Sequence, residues 1–277
     1  MSVLLTGANG FLGKNISSEF IRNGIRLIQT SRMGDSRSIA CDLNSKKAVE
    51  NLINLVEPSM IIHCAAFVPK KIKDYENLEF SSLNVEMLKN ILELSKVPLI
   101  YISSMTVYGE SKKVVRCELD AGNPKSSYGL SKYECESLLK EDGRDSLAIR
   151  IPGLFGEGRG DGLINNIIMN HGKISGESLP HFPILWAAMD VRDASRVIVE
   201  LAKNYIFDGF MAINVGYDEI YSINRLIKIF ENIYNVSIEY KVKNPDFRFD
   251  LTLLKENKII SNGSLRKGLI NLINKHE

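Results

Sequence analysis

The fold turns on the reading of Val3-Leu4-Leu5-Thr6-Gly7-Ala8-Asn9-Gly10-Phe11-Leu12-Gly13. The opening apolar residues make a short run of the kind found in a buried parallel strand. Glycines follow at positions 7, 10 and 13, a GxxGxxG spacing rather than GxGxxG. Lacking Cβ atoms, they let the chain turn sharply and let a ligand approach the backbone. Residues 14–23 then carry Ile16, Phe20 and Ile21 at helical spacing, with Gly24 just after, which predicts an amphipathic helix with a glycine stop. A glycine turn between a strand and a helix presents unpaired helix N–H groups and a positive dipole end, the setting that holds a pyrophosphate. The alternative is a tight strand-to-helix turn without a ligand.

Outward from this stretch the pattern repeats. Strands are predicted at 26–30, 60–64, 99–102, 147–150 and 212–215, and helices at 46–56, 80–95, 126–139 and 193–203. Such alternation predicts an α/β fold, a doubly wound parallel sheet with right-handed crossovers and helices on both faces. After Gly156 the chain becomes glycine-rich as far as Pro183, with a short helix expected at 163–169. Two more helices are expected at 222–234 and 264–274. We therefore expect a small discontinuous C-terminal lobe, with Trp186 as a packing anchor where the chain returns to the main domain.

The chain has 277 residues, 44% hydrophobic and 25% charged, enough for one large domain with a sizeable core. A net charge of +2 provides no global basic field, so neither a nucleic acid nor an acidic membrane is expected as a partner. No signal peptide or membrane-length apolar run is legible, and the expected location is the cytoplasm. Cys41, Cys64, Cys117 and Cys135 form no CxxC pair and no cluster with histidine, so no metal site is expected.

Three further places carry chemistry. The second predicted strand ends in Gln29-Thr30-Ser31-Arg32, where an acidic residue would bind the adenine ribose and select NAD. Arg32 can instead pair with a 2′-phosphate, with Ser31 adding a hydrogen bond, which favours NADP and leaves NAD as the alternative. The other reading of Arg32 is a solvated loop charge; Arg37 is a second candidate. Tyr128 and Lys132 stand four apart on a predicted helix, one turn from each other. An ammonium beside a phenol is expected to lower its pKa from about 10 and make it a proton donor and acceptor. Ser104 closes the strand before them and can hydrogen-bond a substrate carbonyl.

Taken together, these motifs resemble the extended short-chain dehydrogenase/reductase family, the NAD-dependent epimerase/dehydratase group, in its nucleotide-sugar branch. The matching residues run from Gly7-Ala-Asn-Gly-Phe-Leu-Gly13 through Cys41-Asp42-Leu43, His63-Cys-Ala-Ala66, Asn84 and Ser103-Ser-Met-Thr-Val-Tyr-Gly109 to Tyr128-x-x-x-Lys132, Arg150-Ile-Pro-Gly-Leu-Phe-Gly156 and Asp190-Val-Arg-Asp193. The resemblance implies a Rossmann domain from residues 1–158 and 186–216 and a substrate lobe from 159–185 and 217–277. It implies a cofactor site of Gly7, Asn9, Gly10, Phe11, Leu12, Gly13, Ser31, Arg32, Asp42, Leu43, Ala65, Ala66, Asn84, Tyr128, Lys132 and Pro152. Tyr128 would be the general acid/base, Lys132 its electrostatic partner and Ser104 the carbonyl-binding hydroxyl. Val68, Met105, Thr106 and Gly153 would face substrate beside Ser104, and Arg159 and Arg192 are candidates for its diphosphate. A homodimer through the two long helices is also implied.

Departures narrow the chemistry. Family 4,6-dehydratases carry Thr-Asp-Glu where this chain has Ser104-Met105-Thr106, and the epimerase/reductases of fucose nucleotides carry cysteine at the position of Thr106. Neither dehydration nor C3/C5 epimerisation is expected. The expected reaction is NADPH-dependent reduction of a nucleotide-linked keto sugar of the 4-keto-6-deoxyhexose type. The alternatives are an NAD-dependent nucleotide-sugar 4-epimerase and, from another class, a non-catalytic dinucleotide sensor that binds a protein partner.

Overall fold

The computed structural model describes residues 2–70, 72–109, 113–120, 122–174, 179–204 and 208–275. Residues 175–178, within the expected lobe segment 159–185, lie outside them.

The glycine stretch folds as read. Strand β1 (Val3–Thr6) runs into the turn, and helix α1 (Phe11–Arg22) leaves it. Then come β2 (Leu27–Ser31), β3 (Ser38–Ala40), α2 (Lys46–Val56), β4 (Met60–His63), α3 (Leu78–Leu94), β5 (Leu99–Ser104), the short β6 (Val115–Arg116), α4 (Ser127–Asp142) and β7 (Ser146–Ile151). Beyond β7 lie β8 (Gly153–Phe155), α5 (Leu163–Met169), β9 (Ala188–Asp190), α6 (Val191–Asn204), β10 (Phe210–Asn214), α7 (Ile223–Tyr234), β11 (Arg248–Phe249), α8 (Thr252–Glu256) and α9 (Leu265–Ile273).

Among the described residues seven strands pair in parallel in the order β10-β7-β5-β4-β1-β2-β3. The chain winds outward from β1 in one direction through β2 and β3, and from β4 in the other through β5, β7 and β10. The winding reverses between β1 and β4, and a crevice opens at the carboxyl ends of strands at such a point.

The strands are apolar on both faces because helices cover both. Side chains alternate between faces along a strand, and the two buried clusters sort accordingly. Val3, Leu5, Ile62, Ile100, Ile102, Leu147 and Ile149 pack with α1 and α6 on one face. Leu4, Ile61, Leu99, Tyr101 and Ala148 pack with α2, α3 and α4 on the other. Ile164, Ile167, Leu226, Phe230 and Leu269, from the segments expected to form the lobe, join the first cluster. The C-terminal segments are thus continuous with the core beneath α1 and α6, and β8–β9 and β6–β11 form two separate two-stranded sheets. Trp186 is packed against this cluster.

Five helix starts among the described residues are closed by side chains. Ser45, Asn77, Ser126, Ser222 and Ser264 each accept a backbone N–H from the first turn of α2, α3, α4, α7 and α9. Helices α1, α5 and α8 have no capping side chain, and the N-cap of α1 is Gly10, which offers no side-chain acceptor. Among the described residues no helix is long and apolar enough to cross a membrane, and no group of three metal-ligating side chains gathers.

Candidate active site

The residues expected to hold a dinucleotide sit at the carboxyl ends of β1 to β5 and β7, on one edge of the sheet. Gly7 has φ +68°, and a Cβ there would lie 2.6 Å from Ala65 Cα and 2.7 Å from Ala65 N. Gly13 packs its own Cα against the same turn, where a Cβ would lie 2.2 Å from the Gly7 carbonyl oxygen. These contacts draw the turn against the loop after β4, so that Ala65 and Ala66 flank it. Gly7→Ala should cost about 1–2 kcal/mol from the left-handed backbone alone, with the overlap on Ala65 adding to it. A lowered thermal midpoint and weakened dinucleotide binding would show this; an unchanged midpoint would contradict it.

Thr6 anchors the same loop. Its Oγ1 accepts the N–H groups of Cys64 and Ala65, both at 3.2 Å, and is 2.8 Å from His63 Nδ1. With both lone pairs used, the hydroxyl donates to Nδ1, and the proton of the neutral imidazole stays on Nε2. His63 is buried and stacked on Tyr101, and burial lowers its pKa to about 3, with Lys132 adding to the effect. The unfolded chain titrates near 6.5, so the stability gained by a neutral His63 is complete above that pH and is lost as pH falls toward 3. Urea unfolding should lose up to about 1.4 kcal/mol per pH unit from this residue across that window. His63→Asn should flatten the slope.

At the end of β2, Ser31 is buried in a small network. Its Oγ lies 3.0 Å from Ser38 Oγ and accepts Asn9 Nδ2 at 3.0 Å and Gly34 N at 3.1 Å. Asp35, which the sequence reading passed over, belongs to it. One carboxylate oxygen accepts the backbone N–H groups of Arg37 and Ser38 and the other the Asn9 amide. These bonds, led by that from Arg37, hold its carboxyl below the usual range. An Asp four residues beyond the strand is the available signal; its bonds to the turn distinguish it from a ribose-binding carboxylate at the strand end itself. Arg32 is exposed, with its guanidinium 5.8 Å over the Phe67 ring. Asp42 caps the turn after β3 by accepting Asn44 N, and Leu43 is buried with its carbonyl accepting Asn90 Nδ2. Asn84 is buried on α3 and gives both ends of its amide to Phe67, Oδ1 accepting Phe67 N at 2.7 Å and Nδ2 donating to Phe67 O at 3.1 Å. It therefore steadies the loop after β4. Val68 next to it is exposed.

Helix α4 brings Tyr128 and Lys132 to the crevice. Lys132 is buried; its Nζ donates to Ile102 O at 2.8 Å and lies 4.7 Å from the centre of the Tyr101 ring and 5.7 Å from that of Tyr128. Burial holds its pKa below the usual lysine range. For Tyr128 the outcome differs from expectation. Burial, with the Tyr75 phenol and Cys64 alongside, pushes its hydroxyl above the usual tyrosine range, and Arg159 opposes this. Desolvation of the phenolate outweighs the Arg159 charge, so the phenol is not made more acidic at rest. Tyr75 stands edge-on to Tyr128 with ring centres 5.8 Å apart; it lies in a 3-10 helix (Ile72–Glu76) that no motif marks. Ser104 ends β5, and its Oγ accepts Thr106 N at 3.2 Å and Thr106 Oγ1 at 3.0 Å. Its own proton remains for an outside acceptor. Met105 is buried and Thr106 half-buried.

The later candidates divide. Pro152 is buried at the end of β7, and Gly153 is exposed beside it, its N–H bound to Ala187 O. Arg159 lies 5.4 Å over the ring of Phe11, at the start of α1, and pairs with Asp161 at 3.2 Å. Arg192 is engaged elsewhere, forked onto the buried Asp190 at 3.1 and 2.6 Å.

Behind these residues runs a buried polar network. Glu136, one turn beyond Lys132, takes Arg150 Nε and Nη2 at 3.1 and 2.6 Å and the Ser103 hydroxyl at 2.5 Å. Arg150 continues to Tyr108 Oη and Glu118 O, and Tyr108 donates to Asn214 at 2.5 Å. They tie α4 directly to β5 and β7 and, through Arg150 and Tyr108, to β10, and so set the roll of the helix that carries Tyr128. In the sequence Glu136 looks like an ordinary helix-surface charge.

A dinucleotide fits this edge on structural grounds: a glycine cradle with no room for Cβ atoms at positions 7 and 13, and an α1 start with no capping side chain. A family model described as RmlD substrate binding domain matches residues 1–174. The chain belongs to the RmlD substrate-binding domain family. As an RmlD-family chain it is 32% identical over 159 residues to methionine adenosyltransferase 2 subunit beta of Bos taurus, covering 56% of this chain and 47% of that protein. The chain therefore spans about half the length of that curated relative. It is also 22% identical over 292 residues to UDP-glucose 4-epimerase of Neisseria gonorrhoeae, covering 88% of this chain and 86% of the relative. In fold it resembles UDP-glucose 4-epimerase from Bifidobacterium longum in complex with NAD+ and UDP, with TM-score 0.80, 18% identity, and coverage of 99% of this chain and 97% of that one. The RmlD-family chain thus has a Rossmann-type α/β fold, as that epimerase does.

Proposed function

We propose that this protein is an NADPH-dependent reductase of a keto sugar attached to a nucleotide. The observation that carries the reading is the convergence of Tyr128, Lys132 and Ser104 on the sheet edge that also holds the glycine cradle. When bound, the dinucleotide supplies the hydride. Ser104 donates its free hydroxyl proton to the substrate carbonyl oxygen as a hydrogen bond and orients it. Tyr128, a phenol protonated at neutral pH and kept so further into the alkaline range by burial, gives its proton to that oxygen as general acid. Lys132 keeps a positive charge one helical turn away as the phenol loses its proton. Arg159, on the ring of Phe11, places a guanidinium beside the uncapped start of α1, where diphosphate charge would gather. Gly153, Val68, Met105 and Thr106, which follow β7, β4 and β5, would shape the sugar pocket on this reading.

The choice of NADPH rests on Arg32, an exposed cation at the end of β2, while the carboxylate of Asp35 is committed to its own turn. Fluorescence titration should show NADPH binding more tightly than NADH, and Arg32→Ala should erase the difference. Tighter binding of NADH would favour the epimerase reading, which the match to UDP-glucose 4-epimerase along most of the chain supports; interconversion of UDP-glucose and UDP-galactose would then be the assay. The likeness to a protein named as a subunit supports a third reading, a dinucleotide-binding subunit. Dinucleotide binding without turnover on a panel of nucleotide keto sugars would select it.

A further inference from the structure

We infer that Phe67 is a positioning residue for Arg32 and thereby sets discrimination between a 2′-phosphate and a 2′-hydroxyl on the adenosine ribose. The inference rests on the NADPH reading of the same site and deepens it. Arg32 is exposed, and among the described residues it makes no ion pair. A long side chain in that position ordinarily samples many rotamers, and ordering it on binding costs affinity. Here the guanidinium rests 5.8 Å over the Phe67 ring, within the range of a cation–π contact.

The ring is itself held on two sides. Its backbone N–H and carbonyl are both fixed by the buried Asn84 amide, at 2.7 and 3.1 Å. Its face stacks on Phe80, with centroids 5.1 Å apart and planes within 13°. The chain of support thus runs from α3 through Asn84 to Phe67 and on to Arg32, across the mouth between β2 and β4. The Phe67 ring takes up one side of the guanidinium, which leaves N–H groups on its other sides for phosphate oxygens. Phe67 lies two residues beyond Ala65, which backs the glycine turn, so the effect on the 2′ position is read as the ratio of NADPH to NADH affinity, in which a change at the shared pyrophosphate cancels.

The test is fluorescence titration of the full chain with NADPH and NADH in four forms: the parent, Arg32→Ala, Phe67→Leu and Phe67→Trp. Leu keeps apolar bulk but removes the π face, and Trp restores it. Arg32→Ala should weaken NADPH by roughly 10- to 100-fold, the worth of a charge-assisted phosphate contact. Phe67→Leu should weaken NADPH by about threefold, the scale of an exposed cation–π contact, with NADH unchanged. Phe67→Trp should retain the parent ratio. If Arg32→Ala leaves the ratio alone, the NADPH reading itself fails. If Arg32→Ala lowers the ratio but Phe67→Leu does not, the positioning role alone is overturned. Equal weakening of both dinucleotides by Phe67→Leu also overturns it, and would make Phe67 an adenine contact instead.

Discussion

Tyr128→Phe should lower kcat on a nucleotide keto sugar by about 10²- to 10⁴-fold, the usual worth of a positioned proton donor, with dinucleotide affinity little changed. The substitution removes one oxygen from a buried ring and leaves its packing against Tyr75 and beside Lys132 in place. A loss confined to turnover, seen in steady-state kinetics beside a cofactor titration, separates proton transfer from folding. The pH profile should agree. Burial raises the phenol's pKa, so its acidic form is full across neutral pH and is depleted only on the alkaline side. Reduction should therefore be flat near neutrality and decline with rising pH. A fall toward acid assigned to Tyr128, or a Phe variant with parental turnover, would remove Tyr128 from the chemistry.

Glu136→Ala should destabilise the protein by about 3–5 kcal/mol, because it strands the Arg150 charge in the interior. Both side chains are nearly inaccessible, 4% exposed for Arg150 and 3% for Glu136. Arg150 is tied to Glu136 strongly enough that its pKa rises above the usual arginine range despite burial. A drop in thermal midpoint on the order of 10 °C is expected for a chain of this size. Turnover in the surviving folded fraction should fall as well, since Glu136 sets the roll of α4 one turn beyond Lys132. The double replacement Glu136→Leu with Arg150→Met removes both charges and should recover much of the stability. Were the single variant as stable as the parent, the network would be a bystander; were the double variant fully active, it would have no part in orienting α4.

Much of this arrangement could be read from the chain alone. Short all-apolar runs such as Met60-Ile61-Ile62 admit little other than strands covered on both faces, and Lys46–Val56 and Leu163–Met169 form helices over the ranges their periodicity predicts. The glycine turn was legible because steric exclusion of a Cβ is a local property. The spacing of Tyr128 and Lys132 was legible because a helix repeats every 3.6 residues.

Other features depend on partners far along the sequence. Strand β3 is three residues long and only partly buried, and it exists because β2 offers it an edge. Strands β8 and β9 pair across the segment that contains α5. Tyr75 reaches Tyr128, Arg159 reaches Phe11 and Arg150 reaches Glu136 only once the sheet has wound. The protonation of Tyr128 is of the same kind: the adjacent lysine could be read from the sequence, but desolvation depends on everything packed around the ring. Local sterics and periodicity are written in neighbouring residues, whereas burial and long-range charge pairing are properties of the assembled fold.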